Sequence, residues 1–314
     1  MLNAKGAKTD MLINQTKAFL STLAKVLNVN VDDLSIKVSA ELEFYITDTD
    51  GQLLPNRLTL ESSEIQNIIK TLSIYDNKIK EDRIAAEDEM NGTRKIRMES
   101  FEEEDGYNQF EVQFQPTNNP VELAENIINF KTLMKKLTTI DFRAKPYETE
   151  PTSSLHFHIS VYYKDANLFA KESPRDDDEY HYLPLYWCIA GLLALMPKFM
   201  KYFAPTENCQ ERYCMPKRGE RYIHYPTRIC WGFNNRTCAI RIPRKPSEDP
   251  LNCRIEHRVS SSMADPYLAL FAIMCGMQYG VAQELEAPEP IYTRAFEDDE
   301  AGQLLIESFD KHNL

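Results

Sequence analysis

The stretch SSLHFHISVYY, residues 153–163, constrains this chain most. Ser154, His156, His158, Ser160 and Tyr162 alternate with Leu155, Phe157, Ile159, Val161 and Tyr163. A period of two predicts a strand with one apolar face. Three further segments alternate in the same way. In SAELEFYIT, Ser39, Glu41, Glu43, Tyr45 and Thr47 oppose Ala40, Leu42, Phe44 and Ile46. In QFEVQFQ, the polar set is Gln109, Glu111, Gln113 and Gln115. In CRIEHRV, Arg254, Glu256 and Arg258 oppose Cys253, Ile255, His257 and Val259, so His257 is expected in the core.

One such strand needs no explanation beyond a wet sheet face. Four that carry paired Glu, paired His and Arg-Glu-Arg, with no lysine at these positions, point to one shared metal-lined surface. Neighbouring carboxylates repel each other unless a cation lies between them. Oxygen-rich ligand sets with one or two histidines suit Mg²⁺ or Mn²⁺. There is no H-E-x-x-H and no cysteine cluster to favour zinc. Arginines on the same surface suit a phosphate or carboxylate substrate, because a guanidinium fork matches both.

The bulk properties narrow the class. A net charge of −12 argues against a nucleic-acid partner. Seven cysteines, an odd number with no C-x-x-C, read as reduced thiols. With no signal peptide at the start, a cytoplasmic protein is expected. YWCIAGLLALM, residues 186–196, is too short to span a bilayer and is expected as a buried helix, so no membrane association is expected.

Helical spacing is also predicted for TKAFLSTLAKVL within a lead-in of about 35 residues, for VELAENIINFKTLMKKLTTI after Asn119-Pro120, and for residues 183–203. A further helix is predicted after Asp265 as N-cap. The acidic run ESPRDDDEY is expected as a solvated loop, and residues 205–230 as irregular. Strands and helices mix without βαβ spacing, so the fold class is α+β. No glycine-rich loop joins a strand to a helix, which excludes Rossmann and P-loop sites.

The segments AELEFYI, EEEDGYNQFEVQF, FRAKPYETEPTSSLHFHIS, FAPTENCQERY, WGFNNRTCAIRIP and CRIEHRVSSSMADPYLAL, in this order, resemble the catalytic domain of the glutamine synthetase family. EDG with Q-x-E and EP-x-S-x-x-H-x-H are closest to its glutamate–polyamine ligase branch. The resemblance covers residues of about 36 to 285 and implies an open funnel of antiparallel strands, a partial barrel flanked by helices. ATP enters one end and glutamate the other.

The resemblance implies these roles. Glu43, Glu104 and Glu111 hold the metal nearer glutamate. Glu41, His156 and Glu256 hold the metal that bridges the ATP phosphates. Either ion would be Mg²⁺ or Mn²⁺. His158 lies near glutamate and the transferred phosphoryl group. Arg212 and Arg258 hold glutamate carboxylates, with Thr152 in the adjoining loop. Arg241 and Arg254 contact phosphates, with Ser160 beside them, and Arg236 is nearest the group in flight. The implied reaction forms γ-glutamyl phosphate from ATP and glutamate. Ammonia or a larger amine then displaces phosphate.

The chain also departs from the family pattern. Residues 1–314 are expected as one catalytic domain, because about 35 residues before AELEFYI are too few for the family's N-terminal β-grasp domain. Another chain, as a homo-oligomer or a full-length homologue, would then supply it, or the site would work open. The flap stretch CMPKRGERYIHYPTR is enlarged. His224 falls nearest the family's flap glutamate, with Glu220 as a possible substitute. Pro151-Thr152 stands where the family has a glycine, so a Cβ is added where backbone meets substrate. Asp265 replaces an Asn and caps as well. Two functions follow: a γ-glutamyl amide ligase, or a non-catalytic homologue that binds nucleotide or glutamate.

Overall fold

A computed structural model describes residues 2–81, 96–170, 183–217 and 223–309. In chain order the strands are β1 (Leu34–Ile46), β2 (Met98–Glu103), β3 (Gln109–Phe114), β4 (Ile140–Asp141), β5 (Leu155–Tyr163), β6 (Ala166–Asn167), β7 (Arg228–Phe233), β8 (Cys238–Ile242) and β9 (Ile255–His257). The helices are α1 (Leu2–Leu27), α2 (Ser63–Glu81), α3 (Pro120–Leu137), α4 (Leu183–Phe203), α5 (Glu207–Glu211) and α6 (Pro266–Ala282). One open sheet runs in the order β2-β3-β1-β5-β9-β8-β7, with β4 on β1 and β6 on β5.

Alternation decides the two faces of this sheet. Along β1, Leu34, Ile36, Val38, Ala40, Leu42 and Phe44 are buried, while Lys37, Ser39, Glu41 and Glu43 face the other side and stay partly open. Helices cover the apolar face. Phe44 anchors it, with ring centroids 5.7 Å from Phe130 of α3 and 5.8 Å from both Phe101 and Phe142. Such edge and tilted pairs each add to the plain burial of apolar area.

Helices α3 and α6 start where local chemistry dictates. Asn119 caps α3 by accepting from Val121 N, and Pro120 follows at a position that needs no N–H. Asp265 caps α6 by accepting from Tyr267 N and Leu268 N. Helix α4 is 21 residues long and apolar enough to cross a membrane by length alone. It is instead a core helix, burying Leu185, Cys188, Ile189, Leu192 and Met196. It packs against α6 through glycines: a Cβ on Gly280 would stand 1.9 Å from Trp187 O and 2.8 Å from Gly191 N.

Three features differ from the sequence expectation. Helix α1 extends over 26 residues, beyond the short amphipathic run. The region expected as irregular contains α5, capped by Thr206, and β7. Strand β7 also runs parallel to β8, while the other pairings are antiparallel. Its outer edge is occupied by a C-terminal segment of irregular backbone: Ile229 N donates to Gln303 O, Ile291 N to Trp231 O, and the Trp231 indole to Pro288 O. The acidic run ESPRDDDEY, residues 172–180, lies outside the described residues.

Candidate active site

The site is built on the polar face of the sheet, and strand register sets it out in rows. Two residues along a strand make one step of roughly 6.7 Å. In the first row Glu102 on β2 opposes Glu111 on β3, which opposes Glu43 on β1. In the second, Gln113 opposes Glu41, which opposes His156 on β5. In the third, Ser39 opposes His158, His158 opposes Glu256 on β9, and Glu256 opposes Arg241 on β8.

Glu104 enters from the turn after β2. Glu104 N donates to Gln109 O, and Gly106 N to the Gln109 side chain. A Cβ on Gly106 would stand 2.4 Å from the Tyr45 hydroxyl, so this turn accepts only glycine there without displacing Tyr45. Of the three adjacent glutamates, Glu104 is the one that joins Glu43 and Glu111, with ligand oxygens within 4.8 Å of one another. Glu103 faces away and accepts from Leu60 N.

Two further groups meet the same distance criterion, Glu41 with Glu111 and His156, and Glu41 with His158 and Glu256, so the expected set Glu41, His156 and Glu256 is divided between them, with His156 Nδ1 3.8 Å from Glu256 Oε1. Glu41 is thus shared. Its Oε1 lies 2.9 Å from His158 Nε2, and its Oε2 lies 3.4 Å from His156 Nδ1. Arg254 Nε donates to His158 Nδ1 at 3.1 Å. A neutral imidazole that accepts at Nδ1 carries its proton on Nε2, so His158 offers an N–H toward the site. His156 Nε2 is buried with no hydrogen-bond partner.

The carboxylates fall into two electrostatic classes. Burial, then the charges of Glu41, Glu43 and Glu104, push Glu111 up to about 10. Burial and then Glu43 push Glu104 up to about 7. Burial also opposes ionisation of Glu256, but the Arg258 guanidinium beside it outweighs burial and holds that carboxyl at about 2. Burial opposes ionisation of Glu41 too, but the hydrogen-bonding contacts of the His158 and His156 rings hold it far below the usual carboxylate range. Burial, then Arg258, lowers His156 and keeps it in the neutral form that binds metals.

This donor set fits divalent cations. Three carboxylates crowded together resist ionising as a group, and a cation between them removes that resistance. Oxygen donors with a single neutral imidazole match Mg²⁺ or Mn²⁺ better than softer ions.

The arginines are placed less simply. Arg258 pairs with Glu256 and also donates to His224 O at 2.7 Å and Arg236 O at 3.2 Å. Arg212, expected to hold a substrate carboxylate, is buried and donates instead to the carbonyls of Arg258, Val259 and Ser260. It braces the backbone that carries Arg258. Arg241 pairs with Glu256 at 2.7 Å and with Asn234. Arg236 is exposed at the cavity wall.

Two cavities meet at Glu41 and Gln113. One, of about 220 Å³, holds the acidic rows, Thr152, Arg236 and His224. The other, of about 340 Å³, is lined by His158, Ser160, Arg254 and Lys37. The Pro151-Thr152 loop is pinned from below: the Tyr45 hydroxyl donates to Pro151 O at 2.9 Å and Gln109 to Thr152 O at 3.0 Å. Ser154 N donates to Glu43. His224 Nδ1 lies 3.4 Å from Asp105 across the cavity mouth, while Glu220 lies outside the described residues. His257 is buried against the Phe203 ring, 4.6 Å between centroids, as the apolar face predicts.

Sequence reasoning missed Asp105, which lines the first cavity, and Lys37, which lines the second. Lys37 had a signal, since it continues the alternation of Ser39, Glu41 and Glu43 by one step.

A family model described as glutamine synthetase, catalytic domain, matches residues 21–310. Gamma-glutamylputrescine synthetase PuuA of Escherichia coli (strain K12) is 29% identical over 272 residues, 83% of this chain and 54% of that protein. Glutamate–methylamine ligase of Methyloversatilis universalis is 29% identical over 160 residues, 51% of this chain and 34% of that protein. The chain spans about half the length, or less, of the curated relatives it matches. A solved structure titled GmaS/ADP complex shares the fold, with a TM-score of 0.69 at 20% identity over 94% of this chain and 67% of that one.

Proposed function

The chain belongs to the glutamine synthetase family, and we propose that it is an ATP-dependent ligase joining the side-chain carboxylate of glutamate to ammonia or an amine. The observation that carries this reading is the convergence of Glu43, Glu104 and Glu111, with Glu41 and His156 one row away. Buried carboxylates at this density are costly unless a cation and a phosphate-bearing substrate use them.

Glu43, Glu104 and Glu111 would hold one divalent ion, and Glu41, His156 and Glu256 the other. When bound, the two ions neutralise the phosphate oxygens and align the nucleotide. The glutamate carboxylate oxygen attacks the γ-phosphorus and ADP leaves. The amine nitrogen then attacks the acyl carbon, and phosphate leaves. Arg236, exposed at the cavity wall, supplies positive charge beside the moving phosphoryl group. The His158 Nε2–H donates to oxygens at the same point. Arg258 and the Pro151-Thr152 loop orient glutamate, with Arg212 holding Arg258 in place. Arg241, Arg254 and Ser160 face the nucleotide phosphates.

His224 falls nearest the position of the family's flap glutamate, and a histidine in place of that glutamate supports an amine larger than ammonia. Relatives named for putrescine, methylamine and ethanolamide are in keeping with that choice, and relatives named glutamine synthetase with ammonia. Light scattering with and without Mg-ATP reads whether the chain associates with a second copy of itself.

A second reading, nucleotide or glutamate binding without turnover, is favoured by one observation. Arg212 and Arg258 already satisfy internal partners and offer little to a substrate carboxylate. ADP release measured with glutamate and a panel of amines separates the two. Amine-dependent release that disappears in Glu41→Gln supports the ligase. Binding of Mg-ATP without release from any amine overturns it.

A further inference from the structure

The second cavity continues the row order by one step. Lys37 on β1 opposes Ser160 on β5. Arg254 lies two residues before Glu256, which opposes His158, so it continues the chain into the row of Ser160. Its guanidinium is on the polar face, since Nε donates to His158. Two cations therefore flank a hydroxyl in one row, and all three side chains line the same cavity. Adjacent strands are roughly 4.8 Å apart, so the outer two Cα positions are separated by about 10 Å. Long basic side chains from both can converge on a tetrahedral anion between them.

Lys37 is exposed and forms no ion pair among the described residues. Its Nζ rests 4.8 Å over the Tyr162 ring, a contact that holds the ammonium at the cavity wall without neutralising it. The row lies one step, roughly 6.7 Å, beyond the Glu256 row and two steps beyond Glu41. One step suits the innermost phosphate of a nucleotide whose outer phosphates lie beside the Glu256 row.

We propose that Lys37 is a nucleotide-positioning residue that clamps the α-phosphate opposite Arg254, with Ser160 donating between them. This rests on the proposed nucleotide end of the site. Mg-ADP is titrated calorimetrically into the wild-type chain, Lys37→Ala, Lys37→Glu and Lys37→Arg, and Mn²⁺-induced thermal stabilisation is followed in each.

Loss of one charged phosphate contact should weaken Mg-ADP about tenfold or more in Lys37→Ala and further in Lys37→Glu. Lys37→Arg should remain within a few-fold of wild type, and the Mn²⁺ response should be the same in all four proteins. Wild type and Lys37→Ala binding Mg-ADP equally overturns the role of Lys37 alone. Absence of Mg-ADP binding by the folded wild-type chain overturns the nucleotide reading itself. A parallel loss of the Mn²⁺ response in Lys37→Ala also overturns the proposal, because the substitution would then disturb the whole site.

Discussion

Arg254 Nε donates to His158 Nδ1 at 3.1 Å, and this one bond decides which nitrogen of His158 carries the proton into the cavity. With Nδ1 occupied as acceptor, Nε2 carries the proton. Glutamine places an amide N–H near the Nε2 position of histidine, whereas asparagine places it near Nδ1. His158→Gln should therefore keep substantially more ADP-releasing activity than His158→Asn, with a gap of about tenfold. Equal loss in both variants, measured at saturating Mg-ATP, would show that the N–H direction is irrelevant.

Glu111 should behave in opposite ways with and without metal. Its carboxyl is pushed up to about 10 by burial and by three neighbouring carboxylates. Glu111→Gln removes that conflict while keeping shape. The variant should be more stable than wild type in EDTA, by ~1–2 kcal/mol in urea unfolding. It should also gain less from added Mn²⁺ in thermal melts. A variant that is less stable in EDTA would contradict the crowding described here.

Lys131 gives a pH test away from the site. Its ammonium donates to Ser262 O beside the Phe142 ring. Burial first, then the charge of Lys135, pulls its pKa down to about 8. Between that value and the unfolded value near 10.4, the unfolded chain holds more protons than the folded one. Stability from this residue is therefore lowest and constant below about pH 8 and rises through that window. Relative to Lys131→Met, wild type should gain ~1–2 kcal/mol between pH 7.5 and 9.5. The figure allows for the partly exposed stem. Parallel stability curves would refute the shift.

Two glycines should respond oppositely to the same substitution. Gly280→Ala places a methyl 1.9 Å from Trp187 O, so α4 and α6 must part at a cost of about 2–3 kcal/mol or more. Gly6 lies in α1 with nothing within 4 Å of a new Cβ. Gly6→Ala should be stabilising by about 0.5–1 kcal/mol through helix propensity. Chemical denaturation of the two variants against wild type tests both signs.

The strands that carry chemistry were legible because alternation is a local property. Glu41, Glu43, Glu111, His156 and Glu256 could be assigned to one face from spacing alone, and Asp265 to a helix cap. What stayed illegible depends on distant partners. Nothing near Arg212 in sequence shows that its guanidinium will meet the carbonyls of Arg258 to Ser260. Strand β7 pairs in parallel with the short β8 on one edge, and its other edge is covered by a distant C-terminal segment, so its place in the sheet has no local signature. Lys37 was visible in principle, but its relevance appears only once Ser160 and Arg254 are seen beside it.

Strand β1 puts Leu42 and Ala40 into the core by the same alternation that turns Glu41 and Glu43 toward the cavity. Folding and assembly of the site are consequently a single decision. Slipping β1 by one residue would bury its acids and expose its aliphatics together, so such a species could not persist as an intact but inactive protein. Inserting one residue after Val38 should therefore abolish soluble folded protein, whereas lesions that spare register, such as Glu41→Gln, should leave a well-folded one. Quality control of this strand is in effect quality control of the cavity-lining face.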